Sequence, residues 1–120
     1  WDILPGPLNK NNPYHPANIE TYNDIPREKL PDTESLKDTY ERVIEYYLKN
    51  IKKNLNENIL IAAHGNSIRA LCKYLFDLDN ESISKLEIPT GNPLLITIDD
   101  NKVKQAKYLD ESRAKDLLKF

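Results

Sequence analysis

Apolar positions recur at helical spacing through the first strongly patterned stretch of the chain: Leu36, Tyr40, Val43, Ile44, Tyr47, Leu48, Ile51 and Leu55. That period predicts a long amphipathic helix over residues 33–54. Asp32 or Thr33 is its expected cap, and Glu34 falls in the first turn, where a carboxylate suits the helix dipole. The period breaks at Ile59–Ala63, which is apolar on both parities and bounded by polar residues. This is the pattern of a short strand buried on both faces. Helical spacing resumes with Ile68, Leu71, Cys72, Leu75 and Phe76. Asn80 is placed to cap a third, short helix that runs to Leu86. Beyond the loop Ile88-Pro89-Thr90-Gly91-Asn92-Pro93, residues 94–98 and 102–108 flank Asp99-Asp100-Asn101 as a hairpin. A short helix is expected from Glu111.

Residues 1–31 differ in kind. They hold Pro5, Pro7, Pro13, Pro16, Pro26 and Pro31, with Asn9, Asn11, Asn12, Asn18 and Asn23 between them. This composition predicts a long irregular loop, and a loop of that length in a compact domain usually carries function. The expected organisation is therefore an irregular loop near the active site over 1–31, and over 32–120 the carboxyl-terminal half of a single α/β domain. A lone buried strand needs crossover partners. Only a helix–strand–helix unit and a hairpin are visible here, so the other strands are expected from elsewhere.

At 120 residues the chain is bounded to one domain. Its 17 basic and 19 acidic residues are interspersed and leave a net charge of -2, which excludes a general nucleic-acid binder. A local cationic pocket for a small anion stays open, because net charge does not report on single clefts. No apolar run approaches the roughly 20 residues that cross a bilayer, so no membrane partner is expected. Cys72 is alone, which excludes a disulfide framework; with no signal-like segment in view, a reducing, cytoplasmic setting is expected. Cys72 itself is expected to pack within a helix face, without reactivity.

The chemistry concentrates at His64-Gly65-Asn66, where the apolar run stops and a helix begins. A strand end followed by a helix amino terminus is where α/β folds gather ligands. Imidazole there can move a proton or stabilise an anionic transition state. Gly65 lets backbone approach a ligand, and Asn66 adds donors and an acceptor on a short side chain. The bland alternative is a satisfied core histidine beside a turn glycine, with Asn66 only capping the helix. Arg69 is expected in a solvated ion pair, and His15, among prolines with no acid at catalytic spacing, is expected to be exposed. With no cluster of ligating side chains, no metal site is expected.

Three segments carry a resemblance. Leu30-Pro31-Asp32-Thr33-Glu34-Ser35-Leu36, Ile61-Ala62-Ala63-His64-Gly65-Asn66-Ser67 and Ile88-Pro89-Thr90-Gly91-Asn92-Pro93 stand in the order and spacing of the cofactor-dependent phosphoglycerate mutases, members of the histidine phosphatase superfamily. The resemblance runs from Asn12 to Tyr108 and covers the carboxyl-terminal half of such an enzyme. It implies an α/β fold with a mixed, mainly parallel sheet flanked by helices. It also implies interconversion of 3-phosphoglycerate and 2-phosphoglycerate through a phosphohistidine, primed by 2,3-bisphosphoglycerate and without metal. By position, His64 resembles the second active-site histidine, which stabilises the phosphoryl group in transit, and Gly65 and Asn66 resemble substrate-contacting positions. Family members form dimers or tetramers, so a homo-oligomer is expected.

The chain also departs from the family. The Arg-His-Gly motif that carries the phosphorylated histidine is not in this sequence, nor is the proton-transferring glutamate of the family's first half. Trp1 resembles a tryptophan that two phosphate-binding arginines follow in the family, whereas Asp2 follows it here. The chain alone is therefore expected to be inactive. Three other readings stand beside this one: a bisphosphoglycerate mutase or phosphatase of the same superfamily, told apart by phosphate release against isomerisation; a non-catalytic phosphate-binding or scaffolding remnant, left with scaffolding alone if no phosphate ester binds the chain; and a metal-dependent hydrolase using His64, which needs metal-sensitive activity and has no ligand set in the sequence to support it.

Overall fold

The structure, a computed structural model, describes residues 1–114. The long helix begins later than its periodicity suggests. Helix α1 spans Leu36–Tyr46, and Ser35 is its cap. Ser35 Oγ accepts from the Asp38 N–H at 3.1 Å, and the Ser35 N–H donates to Asp38 Oδ2 at 2.8 Å, a reciprocal capping box. Asp32 and Thr33 do not cap because their side chains are engaged elsewhere. Asp32 faces His15, and the Thr33 hydroxyl donates to the Pro5 carbonyl at 2.7 Å. Glu34 accepts from the Arg42 guanidinium and the Thr39 hydroxyl, and the Arg42 hydrogen bond is the chief reason its carboxyl sits below the usual range.

Past Tyr46 the winding loosens into a π turn over Tyr47–Ile51 and tightens again into a 3₁₀ turn over Lys52–Asn54. Through this change of winding Tyr47, Ile51 and Leu55 stay on the side that meets the next helix.

Helix α2, Gly65–Leu75, is the centre of the packing because it is apolar on two sides. One side places Leu71, Tyr74 and Leu75 against Ile44, Tyr47 and Tyr40 of the long helix. The other places Ile68, Cys72 and Phe76 against Ile83 and Leu86, joined by Leu94 of the hairpin and by Trp1. Helix α3, Asn80–Lys85, is capped by Asp79, whose carboxylate accepts from the Ser82 N–H at 2.7 Å. The cap lies one residue before the asparagine that the sequence suggested.

Strands β1, Leu94–Asp99, and β2, Lys102–Tyr108, pair antiparallel. Asp100 and Asn101 both take positive φ (50° and 58°), the conformation a two-residue hairpin turn demands. Thr97 pairs with Gln105 and Ile98 with Val103, so Lys104 is an extra residue that bulges from the ladder. The bulge lets Val103, Ala106 and Tyr108 share the inward face despite their uneven spacing. Residues Glu111–Ala114 form a 3₁₀ turn; the rest of the expected terminal helix lies outside the described residues.

Segment 59–63 does not form the buried strand its composition predicts. It takes no regular secondary structure and has no ladder partner among the described residues, and Leu60 is 93% exposed. A strand is made by its neighbours, and among the described residues the one ladder joins β1 to β2 and does not include this segment. The parallel sheet of the expected architecture is thus not assembled among the described residues, which contribute helices and a small antiparallel sheet.

Cys72 is buried against Ile83 and Leu86, and burial pushes its thiol from an ordinary 9.0 up to about 12. A thiol kept neutral in the folded state stabilises the fold fully below its ordinary pKa. That contribution is lost as pH rises from 9.0 towards 12, where the unfolded chain ionises first. Iodoacetamide at pH 8 is therefore expected to leave Cys72 unmodified in the folded chain and to alkylate it in denaturant. Rapid labelling without denaturant would contradict the packing.

Candidate functional site

Where segment 59–63 ends, His64 becomes the cap of α2, with backbone in the extended region (φ -62°, ψ 147°). Its carbonyl accepts from the N–H groups of Ser67 at 2.9 Å and Ile68 at 3.1 Å. Its Nδ1 accepts from the Asn66 N–H at 3.3 Å. A neutral imidazole that accepts at Nδ1 holds its proton on Nε2, so the ring offers a donor away from the helix. The ring is exposed and lines an open cleft of about 640 Å³.

Gly65 opens the helix, and its N–H makes no hydrogen bond among the described residues. A Cβ added there would meet nothing within 4 Å. No protein neighbour demands a glycine at this position, so the space above it is available to a ligand. Asn66 follows, and its Oδ1 accepts from Arg69 at 3.2 Å. That assigns the amide, since a guanidinium has only donors to offer, and it leaves Nδ2 without a partner among the described residues.

The opposite wall comes from Leu86, Glu87, Ile88 and Thr90. This loop is held from behind. Buried Asn92 donates to the Asp110 carbonyl at 2.8 Å and accepts from the Asp110 N–H at 3.0 Å. Arg113 donates to the carbonyls of Thr90 at 2.6 Å and Gly91 at 3.3 Å. Gly91 adopts φ +69°, the left-handed conformation in which a side chain is strained. The loop therefore reaches the cleft as a fixed shape tied to the end of the hairpin.

His64, Gly65 and Asn66 thus share one wall, and the Ile88–Pro93 motif supplies the facing one. The Leu30–Leu36 motif does not line this cleft. Its residues cap α1 and pack beneath α2. Among the described residues, no group of three or more histidine, cysteine or carboxylate side chains is arranged to hold a metal ion.

Two side chains differ from their sequence expectation. Arg69 makes no ion pair among the described residues. Instead, its guanidinium donates to Asn66 Oδ1, to the Ile83 carbonyl at 2.7 Å and to the Ser84 carbonyl at 3.3 Å, on the cleft floor. Its Nε is buried without a partner among the described residues, a cost on the order of 1–3 kcal/mol. The three-residue spacing from Asn66, which puts both on one helix face, is the signal that could have placed it. His15 is buried rather than exposed. Its Nδ1 accepts from the Ala17 N–H at 3.1 Å, and its Nε2 lies 3.3 Å from Asp32 Oδ1. Asp32 is distant in sequence, and the fold of the proline-rich loop brings it close.

Residues 9–111 match the family model of the histidine phosphatase superfamily (branch 1). A protein of Pelagibacter ubique (strain HTCC1062), named 2,3-bisphosphoglycerate-dependent phosphoglycerate mutase, is 64% identical over 123 residues, covering 100% of this chain and 52% of its own length. Proteins of the same name from Maricaulis maris (strain MCS10) and Hydrogenobaculum sp. (strain Y04AAS1) are each 46% identical, over 98% and 96% of this chain and 50% and 48% of their own lengths. The chain spans about half the length of the curated relatives it matches.

Proposed function

The chain belongs to the histidine phosphatase superfamily, and we propose that it is the carboxyl-terminal half of a phosphoglycerate mutase that interconverts 3-phosphoglycerate and 2-phosphoglycerate. The observation that carries this reading is the meeting of two motif segments, His64–Asn66 and Ile88–Thr90, across one cleft whose near wall presents unengaged donors. Those donors are His64 Nε2, the Gly65 N–H and Asn66 Nδ2. A phosphoryl group in flight spreads its charge over three equatorial oxygens, and fixed donors aimed at them stabilise that state more than the ground state. His64 is assigned the role of transition-state stabiliser. Gly65 and Asn66 are assigned to binding the phosphorylated substrate.

The same donor set and the room above Gly65 suit 2,3-bisphosphoglycerate, on which the relatives' names state dependence, and His64, Gly65 and Asn66 would hold one of its phosphates. When bound, that compound supplies the priming phosphoryl group. The phosphoacceptor histidine is assigned to the other half of the full-length protein, since neither His15 nor His64 follows an arginine. The unpaired apolar segment 59–63 is where that half would add its strands and complete the sheet. Residues 1–31 are assigned to the approach to the active site, and the full-length protein to the cytoplasm as a dimer or tetramer. Among the described residues no helix is long and apolar enough to cross a membrane.

The cleft is tested by titrating the labelled chain with 3-phosphoglycerate and, in parallel, with unphosphorylated glycerate, following the resonances of His64, Gly65 and Asn66. Shifts with the phosphate ester alone are expected. Equal response to both compounds, or none to either, would remove the phosphate site. Gly65→Ala separates binding from folding. It is expected to weaken 3-phosphoglycerate binding about tenfold or more, because the methyl fills the ligand's space. Thermal unfolding should show stability unchanged or raised by about 0.4–1 kcal/mol, since alanine restricts the unfolded chain.

A further inference from the structure

We propose that Arg69 is a positioning residue of the cleft, acting through Asn66. This rests on the phosphate-binding reading above, but its test does not require that the reaction be a mutase reaction. Arg69 lies on the first turns of α2 and reaches two elements at once. One terminal nitrogen donates to Asn66 Oδ1 at 3.2 Å, and the other donates to the carbonyls of Ile83 at 2.7 Å and Ser84 at 3.3 Å at the end of α3. No carboxylate among the described residues pairs with it, so its place is set by these three neutral oxygens.

This arrangement turns the Asn66 amide. An asparagine side chain at a helix start can rotate, and an anion would be met equally often by its carbonyl oxygen and by its amino group. Because Arg69 offers only donors, it takes the oxygen and leaves Nδ2 as the face presented to the cleft. The two bonds to α3 anchor the guanidinium on the opposite side, so the orientation is braced by a second element. The repulsive end of the amide is thereby kept away from a phosphate, and the attractive end is held in place before the ligand arrives.

Lysine at this position keeps the charge but cannot fork to acceptors on two elements. Arg69→Lys and Arg69→Gln are therefore both expected to weaken binding of inorganic phosphate to the chain about tenfold, roughly the worth of one charge-assisted hydrogen bond. Circular dichroism identifies any variant that fails to fold, and the other then carries the test. The decisive comparison repeats each substitution in Asn66→Ala. If Arg69 acts through Asn66, its replacement in that background changes affinity by less than about twofold. Full additivity, full rescue by lysine, or a wild-type chain that takes up no phosphate would overturn the proposal. A collapsed cycle, beside a full-length protein that fails to isomerise phosphoglycerate, would retain Arg69's role and remove the mutase reading instead.

Discussion

Replacing His64 with alanine in the full-length protein is expected to lower turnover of 3-phosphoglycerate by about 10²-fold or more, with a much smaller change in KM. The imidazole is exposed, so its loss leaves no cavity. Its structural work is the Nδ1 cap on the Asn66 N–H, a long bond at 3.3 Å. Asparagine at 64 offers a shorter acceptor to the same N–H but no Nε2 donor. His64→Asn should therefore restore thermal stability without restoring turnover. Recovery of activity in step with stability would show that His64 is a cap and nothing more.

Ile83→Ala is expected to have the largest effect on stability, about 2–5 kcal/mol by urea denaturation. Ile83 is 0% exposed and packs with Cys72 and Leu86 in the cluster that joins α2, α3 and the hairpin. The same cluster backs the cleft, since Ile83 and Ser84 hold Arg69 and Leu86 forms part of the wall. Leu95→Ala, on the outer face of β1 and 48% exposed, should cost less than about 0.5 kcal/mol. Similar losses at the two positions would mean that this cluster is not the core.

The helices, the hairpin and the helix start at His64 are legible because each depends on local pattern, whereas the facing wall of the cleft comes from a distant loop. Leu36 to Leu55 and Ile68 to Phe76 announce their faces through spacing. Asp100-Asn101 announces its turn through residues that tolerate positive φ. Segment 59–63 was misjudged for the opposite reason. Its composition describes what a strand would bury, but ladder partners are not written in the strand itself. His15 and Arg69 were misplaced because their partners, Asp32 and the carbonyls of Ile83 and Ser84, come from other elements. The caps shifted to Ser35 and Asp79 because several candidate side chains stood side by side, and tertiary contacts took Asp32 and Thr33 out of the competition.

The most direct measurement on the central claim is a phosphorus NMR time course of the full-length protein with 3-phosphoglycerate, with and without a trace of 2,3-bisphosphoglycerate. Growth of the 2-phosphoglycerate signal that depends on the trace compound, with little free phosphate, is the predicted result. Steady release of inorganic phosphate with no 2-phosphoglycerate would make the protein a phosphatase, and an unchanged spectrum would contradict catalysis at this cleft altogether.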